Sequence, residues 1–214
     1  MPTTTIPKIF HKVWLGGKPF PERCQRLWDT WKQYHSDFEF MFWTESNLPV
    51  LQNRKLFDRA TTYAMASDIV RYELMYLYGG IYSDTDTECL KSFDNLLDRE
   101  FAGIEWRNGD DVNIAIGILG GFRGSRNFKQ VIDNIPGHFR RHRDILNQTG
   151  PRMFEKEVRR FSEPFTLFET PAFYPFYYTE KDTYYDKSHD ELKTLFPQSY
   201  AVHFWEGSWQ KKTN

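Results

Sequence analysis

The stretch from Thr62 to Asp86 constrains this chain more than any other. Ala66, Ile69, Val70, Leu74, Leu77 and Tyr78 fall on one helical stripe, and Gly79 supplies a stop. A short apolar segment then runs into Asp84-Thr85-Asp86. A helix delivered straight into a short strand is a unit of an α/β fold, in which ligands gather beyond the carboxyl ends of the strands. In an extended segment residues two apart point to one side, so both carboxylates are expected to face one site while Thr85 faces away. Such a pair repels itself unless a cation lies between, and Mg²⁺ or Mn²⁺ shared with substrate phosphates is the natural partner. The competing reading is a solvated strand end.

The rest of the chain repeats the alternation. Residues 8–16 read as a buried strand, 21–35 as a helix with Cys24, Leu27, Trp28 and Trp31 at helical spacing, and 38–44 as a second strand. Strands are expected at 80–86, 101–106, 113–121, 165–169 and 200–205, with a helical stretch that includes 150–161. The expectation is a single α/β domain over residues 1–214, with a mostly parallel central sheet flanked by helices, standing alone or as one domain of a longer enzyme.

Composition narrows the function. With 28 basic and 29 acidic residues the net charge is −1, which gives no support to nucleic acid as a partner. Cys24 and Cys89 show neither metal-ligand spacing nor a disulfide framework. The segment "MPTTTIPKIF" has no basic flank before an apolar core, and no apolar run approaches the ~20 residues of a transmembrane segment. The expected setting is the cytoplasm, in a bacterial cell or a virus-infected host.

Asp68 and Arg71 are three apart on the helix that leads into the aspartates. They read either as a surface ion pair or as a carboxylate for sugar hydroxyls and a guanidinium for a phosphate oxygen. His203, at a late strand end before "WEGSW", is a candidate further metal ligand or a satisfied structural histidine. The pair Asp110 and Asp111 reads as a solvated loop or as an acceptor contact. "FYPFYY" (173–178) reads as packing or as a groove for sugar faces.

Four blocks in order, "IPKIFHKVWLGG" (6–17), "AMASDIVRYELMYLYGGIYSDTD" (64–86), "TGP" (149–151) and "YAVHFWEGSW" (200–209), resemble the DXD-containing sugar-transferase family. That family includes fungal mannosyltransferases, bacterial capsular and lipopolysaccharide transferases and, more distantly, the clostridial glucosylating toxin domain. The resemblance implies a GT-A fold and retaining transfer of a sugar from a nucleotide-diphosphate donor to a glycan acceptor, with Mn²⁺ (or Mg²⁺) as cofactor. UDP-sugar is favoured as donor, with GDP-sugar the alternative. Carried over, Trp14 stacks on the donor base, Asp68 and Arg71 contact the donor sugar and phosphate, and Tyr82 lines the same pocket. Asp86 and His203 hold the metal. Asp84 reaches the ribose, or the metal through water. Asn113 lies near donor or acceptor, and Ser208 and Trp209 close over the diphosphate. After Asn113 the chain lacks the family's usual asparagine-glycine and serine-rich signature. Two other readings use the same residues: a lectin-like module that binds sugar without catalysis, and a metal-dependent nucleotidyl or phosphoryl transferase. The latter would show a phosphate-cradling glycine loop, which is absent here.

Overall fold

Five of the six strands of the central sheet run in one direction. The computed structural model describes residues 4–109 and 111–206. In chain order the elements are β1 (Ile9–Val13), α1 (Glu22–Tyr34), β2 (Glu39–Trp43), α2 (Arg54–Asp58), α3 (Tyr63–Leu77), β3 (Gly80–Ser83) and β4 (Thr87–Cys89). There follow β5 (Phe101–Asn108), β6 (Asp111–Gly121), α4 (Arg126–Arg141), α5 (Ile145–Gln148), α6 (Pro151–Val158), β7 (Thr166–Phe168), α7 (Lys181–Tyr184), α8 (His189–Leu195) and β8 (Ala201–His203). The large sheet has the order β2-β1-β3-β6-β5-β7, and β4 pairs with β8 in a separate antiparallel ribbon. Only β6 is reversed, antiparallel to both β3 and β5. The expected parallel architecture therefore holds except at this strand, which returns directly from β5 with Asn108 opposite Asp111.

Period-two alternation splits the core into two layers. Val13, Tyr82 and Leu119 join one apolar cluster with residues of α3, α4 and α6, whereas Phe10, Ile81 and Ile118 join the other with Trp28 and Trp31 of α1. Thr62 starts α3 by accepting a hydrogen bond from the Met65 N–H at 3.1 Å, and Gly79 and Gly80, at φ +66° and +94°, end it. The turn into β3 is tight: a Cβ on Gly80 would lie 2.5 Å from the Ile9 carbonyl oxygen.

α3 is buried from Asp68 through Met75, not along one stripe. Helices on the same side of the sheet cover the face that the sequence pattern leaves to solvent, which removes the surface-pair reading of Asp68 and Arg71, one of the two the sequence left open. α4 has the clearest amphipathic pattern outside the N-terminal half, with Phe128, Val131, Ile132 and Ile135 buried, and is resolved as a helix separate from α6. No helix among the described residues is long and apolar enough to cross a membrane.

Candidate functional site

β3 stops at Ser83, so Asp84, Thr85 and Asp86 form a turn into β4 and not the extended run expected from the sequence. The two carboxylates face one site because the turn is closed, not because a strand alternates. Asp84 N–H donates to the Gly117 carbonyl at 2.7 Å, and its own carbonyl accepts from Thr87 Oγ1 at 2.6 Å and from Lys12 Nζ at 2.7 Å. On the far side, β4 and β8 pair with Thr87 opposite His203, which brings the histidine beside Asp86. The Phe204 N–H donates to the Asp86 carbonyl at 3.0 Å and the Glu206 N–H to Asp86 Oδ2 at 2.8 Å.

Ligand atoms of Asp84, Asp86 and His203 consequently lie within 4.8 Å of one another. His203 Nε2 is 3.1 Å from Asp86 Oδ1 and 3.8 Å from Asp84 Oδ2. Burial would raise the Asp86 pKa, but the neighbouring imidazole and the Glu206 N–H overcome it and hold the carboxyl well below its usual range. For His203 burial works downward, and Asp86, Asp84 and Glu105 more than offset it, so the ring's pKa is raised. These carboxylates are not solvated strand-end groups: the Asp86 side chain is 13% exposed and that of Asp84 26%.

Two buried cations organise the turn. Lys12 on β1 has no exposure, and its ammonium meets Ser83 Oγ at 3.1 Å and Thr87 Oγ1 at 3.4 Å besides the Asp84 carbonyl, 4.7 Å from the Trp28 ring centre. Burial lowers its pKa to about 7 against the pull of Asp86 and Asp84. Arg71 spans two acids: Nη2 lies 3.1 Å from Asp68 Oδ1, and Nη1 lies 3.1 Å from Asp84 Oδ1 and donates to the Ile116 carbonyl at 2.7 Å. With both terminal nitrogens engaged and the side chain 6% exposed, Arg71 holds Asp84 and is not a free arm for phosphate. Tyr82 reinforces this by donating to Asp84 Oδ1 at 2.7 Å, and Thr149 donates to Asp68 Oδ2 at 2.9 Å. Burial, opposed by Arg71 and Thr149, raises the Asp68 pKa to about 6.

The turn opens into a cleft of about 570 Å³. Trp14, Asp68, Arg71, Tyr82, Asp84, Asp86, Asn113 and His203 all line it, so the structure gathers every described site residue named from the sequence. Trp14 lies just beyond β1, half-buried, its Nε1–H donating to the Lys18 carbonyl at 2.7 Å. Asn113 is held by Glu105, whose Oε2 accepts from Asn113 Nδ2 at 2.6 Å while Oε1 accepts from Trp205 Nε1 at 3.2 Å. The aromatic run divides: Phe173 and Phe176 are buried away from the cleft, Tyr174 is buried at its wall, and Tyr177 and Tyr178 line it with more exposure. Asp111 is exposed, 3.9 Å from Arg152. Asp110, Ser208 and Trp209 lie outside the described residues.

Lys12, Glu105 and Gly117 were not singled out in the sequence. Gly117 matters by its missing side chain, because a Cβ there would lie 2.9 Å from Asp84 Oδ2. A polar residue inside an apolar strand, as at Lys12 and Glu105, is the available signal, but a strand alone does not show what such a residue meets.

The donor set suits a divalent cation. Two carboxylates offer hard oxygens and His203 an imidazole nitrogen. The other ring nitrogen, Nδ1, is buried without a hydrogen-bond partner among the described residues, leaving Nε2 to face the carboxylates.

Comparisons with known proteins bear on the family and the fold. Residues 21–102 match the glycosyltransferase sugar-binding region containing the DXD motif, and residues 128–214 match the α1,4-glycosyltransferase conserved region. An uncharacterized glycosyltransferase of Acanthamoeba polyphaga mimivirus is 26% identical over 170 residues, 74% of this chain and 66% of that protein. Inositol phosphoceramide mannosyltransferase 2 of Schizosaccharomyces pombe is 26% identical over 208 residues, 91% of this chain and 57% of that protein. Lactosylceramide 4-alpha-galactosyltransferase of Gorilla gorilla gorilla is 30% identical over 152 residues, 65% of this chain and 44% of that protein. The chain thus spans two thirds or less of the length of these relatives. They come from a virus, a yeast and a mammal and do not narrow the source to bacteria or viruses. Among solved structures, the PaToxG glycosyltransferase superposes with a TM-score of 0.60 at 16% identity, covering 74% of this chain and 70% of that one. The Streptococcus pneumoniae glycosyltransferase GlyE superposes with a TM-score of 0.55 at 11% identity, covering 92% of this chain and 54% of that one. These likenesses establish the GT-A type fold.

Proposed function

We propose that this chain, which matches two glycosyltransferase family models over residues 21–102 and 128–214, moves a sugar from a nucleotide-diphosphate donor to a glycan acceptor, with retention. The observation that carries the reading is the convergence of Asp84, Asp86 and His203 in a cleft whose rim holds Trp14. Those three residues would hold Mn²⁺ or Mg²⁺, which when bound neutralises the charge that grows on the diphosphate leaving group. Trp14 offers its ring to the donor base, and UDP is the favoured base carrier over GDP. Asp68 faces the donor sugar, and Arg71 acts through Asp84, fixing the orientation of that carboxylate. Tyr177 and Tyr178 present rings to the acceptor sugar, with Asn113 between the two substrates.

Retention needs no protein nucleophile where the departing phosphate takes the acceptor proton on the same face. Glu105, the further carboxylate among the described lining residues, has both oxygens engaged by Asn113 and Trp205. That favours a positioning role for it over the free base that an inverting reaction requires.

Calorimetric titration of UDP, UDP-glucose and GDP-mannose, each with Mn²⁺ and with EDTA, tests the proposal. The expected outcome is binding that requires Mn²⁺, is stronger for UDP compounds, and is lost in Asp86→Asn, with a melting scan confirming that the variant is folded. Trp14→Ala is expected to weaken nucleotide affinity by about 1–3 kcal/mol on the base-stacking scale. Binding of free saccharide with no nucleotide dependence would replace the proposal with the lectin reading.

A further inference from the structure

Outside the cleft, α2, α4 and α5 enclose a cavity of about 340 Å³. Leu56, Pro136 and Phe139 give it an apolar lining, and Arg59, Arg140 and Arg143 give it charge. No carboxylate lines it, and none of the three guanidiniums has an ion-pair partner among the described residues. Among the other exposed arginines, Arg26, Arg54, Arg126 and Arg159 each pair with a glutamate or aspartate at 2.8–3.0 Å, while Arg123 and Arg141 show no ion pair among the described residues and do not line the cavity.

The α4 dipole accounts for basic residues in its last turn, Arg140 included. It does not account for Arg59, which follows α2 and lies with its guanidinium 5.6 Å from the Phe139 ring centre. Nor does global charge, since the chain carries a net −1. Tertiary packing concentrates three uncompensated cations around an apolar hollow. Gln148 fixes this end of α4 by donating from Nε2 to the Phe139 and His142 carbonyls at 3.2 and 2.8 Å. Gln148 lines the cavity, while Leu146, two residues earlier on α5, lines the cleft.

We propose that this cavity takes the phosphate of an anionic phospholipid headgroup and seats the protein on a membrane surface beside the cleft. Guanidinium groups bind phosphate oxygens through paired N–H donors, and the apolar lining accepts the carbon skeleton next to the phosphate, which inorganic phosphate lacks. The inference is about binding and stands whether or not the chain transfers sugar.

The experiment is co-sedimentation of the full chain with vesicles of phosphatidylcholine alone and of phosphatidylcholine with phosphatidylinositol, with and without inorganic phosphate as competitor. The chain is expected to partition onto the anionic vesicles only. Arg59→Gln with Arg140→Gln and Arg143→Gln is expected to lower the partition coefficient roughly a hundredfold, about fivefold for each arginine. The control removes the same charge elsewhere, with Arg26→Gln, Arg126→Gln and Arg159→Gln, and is expected to fall by less than about tenfold, since no cavity gathers those residues. Equal loss in the two triple variants, no partition of the parent chain, or binding of inorganic phosphate without partition would each overturn the proposal. A melting scan of both variants guards the comparison against unfolding.

Discussion

The ammonium of Lys12, without solvent exposure, donates a 2.7 Å hydrogen bond to the main-chain carbonyl of Asp84, tying the first strand to the turn that carries both aspartates. The same ammonium reaches Ser83 and Thr87, so one side chain spans the residues on either side of the turn. A cation fixed there also lessens the repulsion between two carboxylates held close together.

Lys12→Met keeps most of the volume and removes the donor. Three oxygens lose a partner, although the desolvation cost of a buried ammonium is relieved at the same time. The expected net loss is about 1–3 kcal/mol of folding stability, read by urea denaturation. Unchanged stability would show that the turn holds without Lys12.

Arg71→Lys tests the bridge between Asp68 and Asp84. An ammonium is a point charge and does not reach two carboxylates and the Ile116 carbonyl as the planar guanidinium does. One buried carboxylate is left without its cation, and stability is expected to fall by about 3–5 kcal/mol. A double variant with Asp68→Asn is expected to lose less than the sum of the two single changes, the mark of a coupled pair.

Gly117→Ala separates the site from the fold. The added methyl would lie 2.9 Å from Asp84 Oδ2 and 3.4 Å from the Tyr174 hydroxyl, so the carboxylate must shift. Mn²⁺ affinity measured by calorimetry is expected to drop at least tenfold, with a stability cost of about 1–3 kcal/mol. Full metal affinity in this variant would count against Asp84 as a ligand.

His11 sets a pH dependence away from the cleft. Its Nδ1 accepts from Trp43 Nε1–H at 3.0 Å, so Nε2 carries the proton and donates to the Gly79 carbonyl at 2.8 Å. Burial lowers its pKa to about 4, with the Gly79 carbonyl opposing. Between the unfolded value of 6.5 and 4, the unfolded chain binds a proton that the folded chain refuses, so stability falls as pH drops through this window. From pH 7 to pH 5 the His11 contribution is about 2 kcal/mol. Urea denaturation of the parent and of His11→Gln at both pH values reads it as a smaller pH slope in the variant.

Much of this protein is written locally. The helix at 63–77, its stop at Gly79, the strands at 9–13 and 39–43 and the acidic pair all follow from periodicity, turn chemistry and burial of apolar residues. Such signals depend on neighbours a few residues apart, and a sequence displays those directly. The ordered blocks carried the sugar-transferase resemblance for the same reason.

Tertiary structure decided what those residues meet. The reversal of β6, the burial of Asp68 and Arg71, and the pairing that sets His203 beside Asp86 across more than a hundred residues come from sheet register and layer packing. Lys12, Glu105 and Gly117 acquire their importance only there, since an ammonium, a carboxylate and an absent Cβ act through the distance to a partner. Local sequence determines which segment is a strand. The free energy of satisfying every buried polar group at once determines which strands meet, and so which side chains share a cleft.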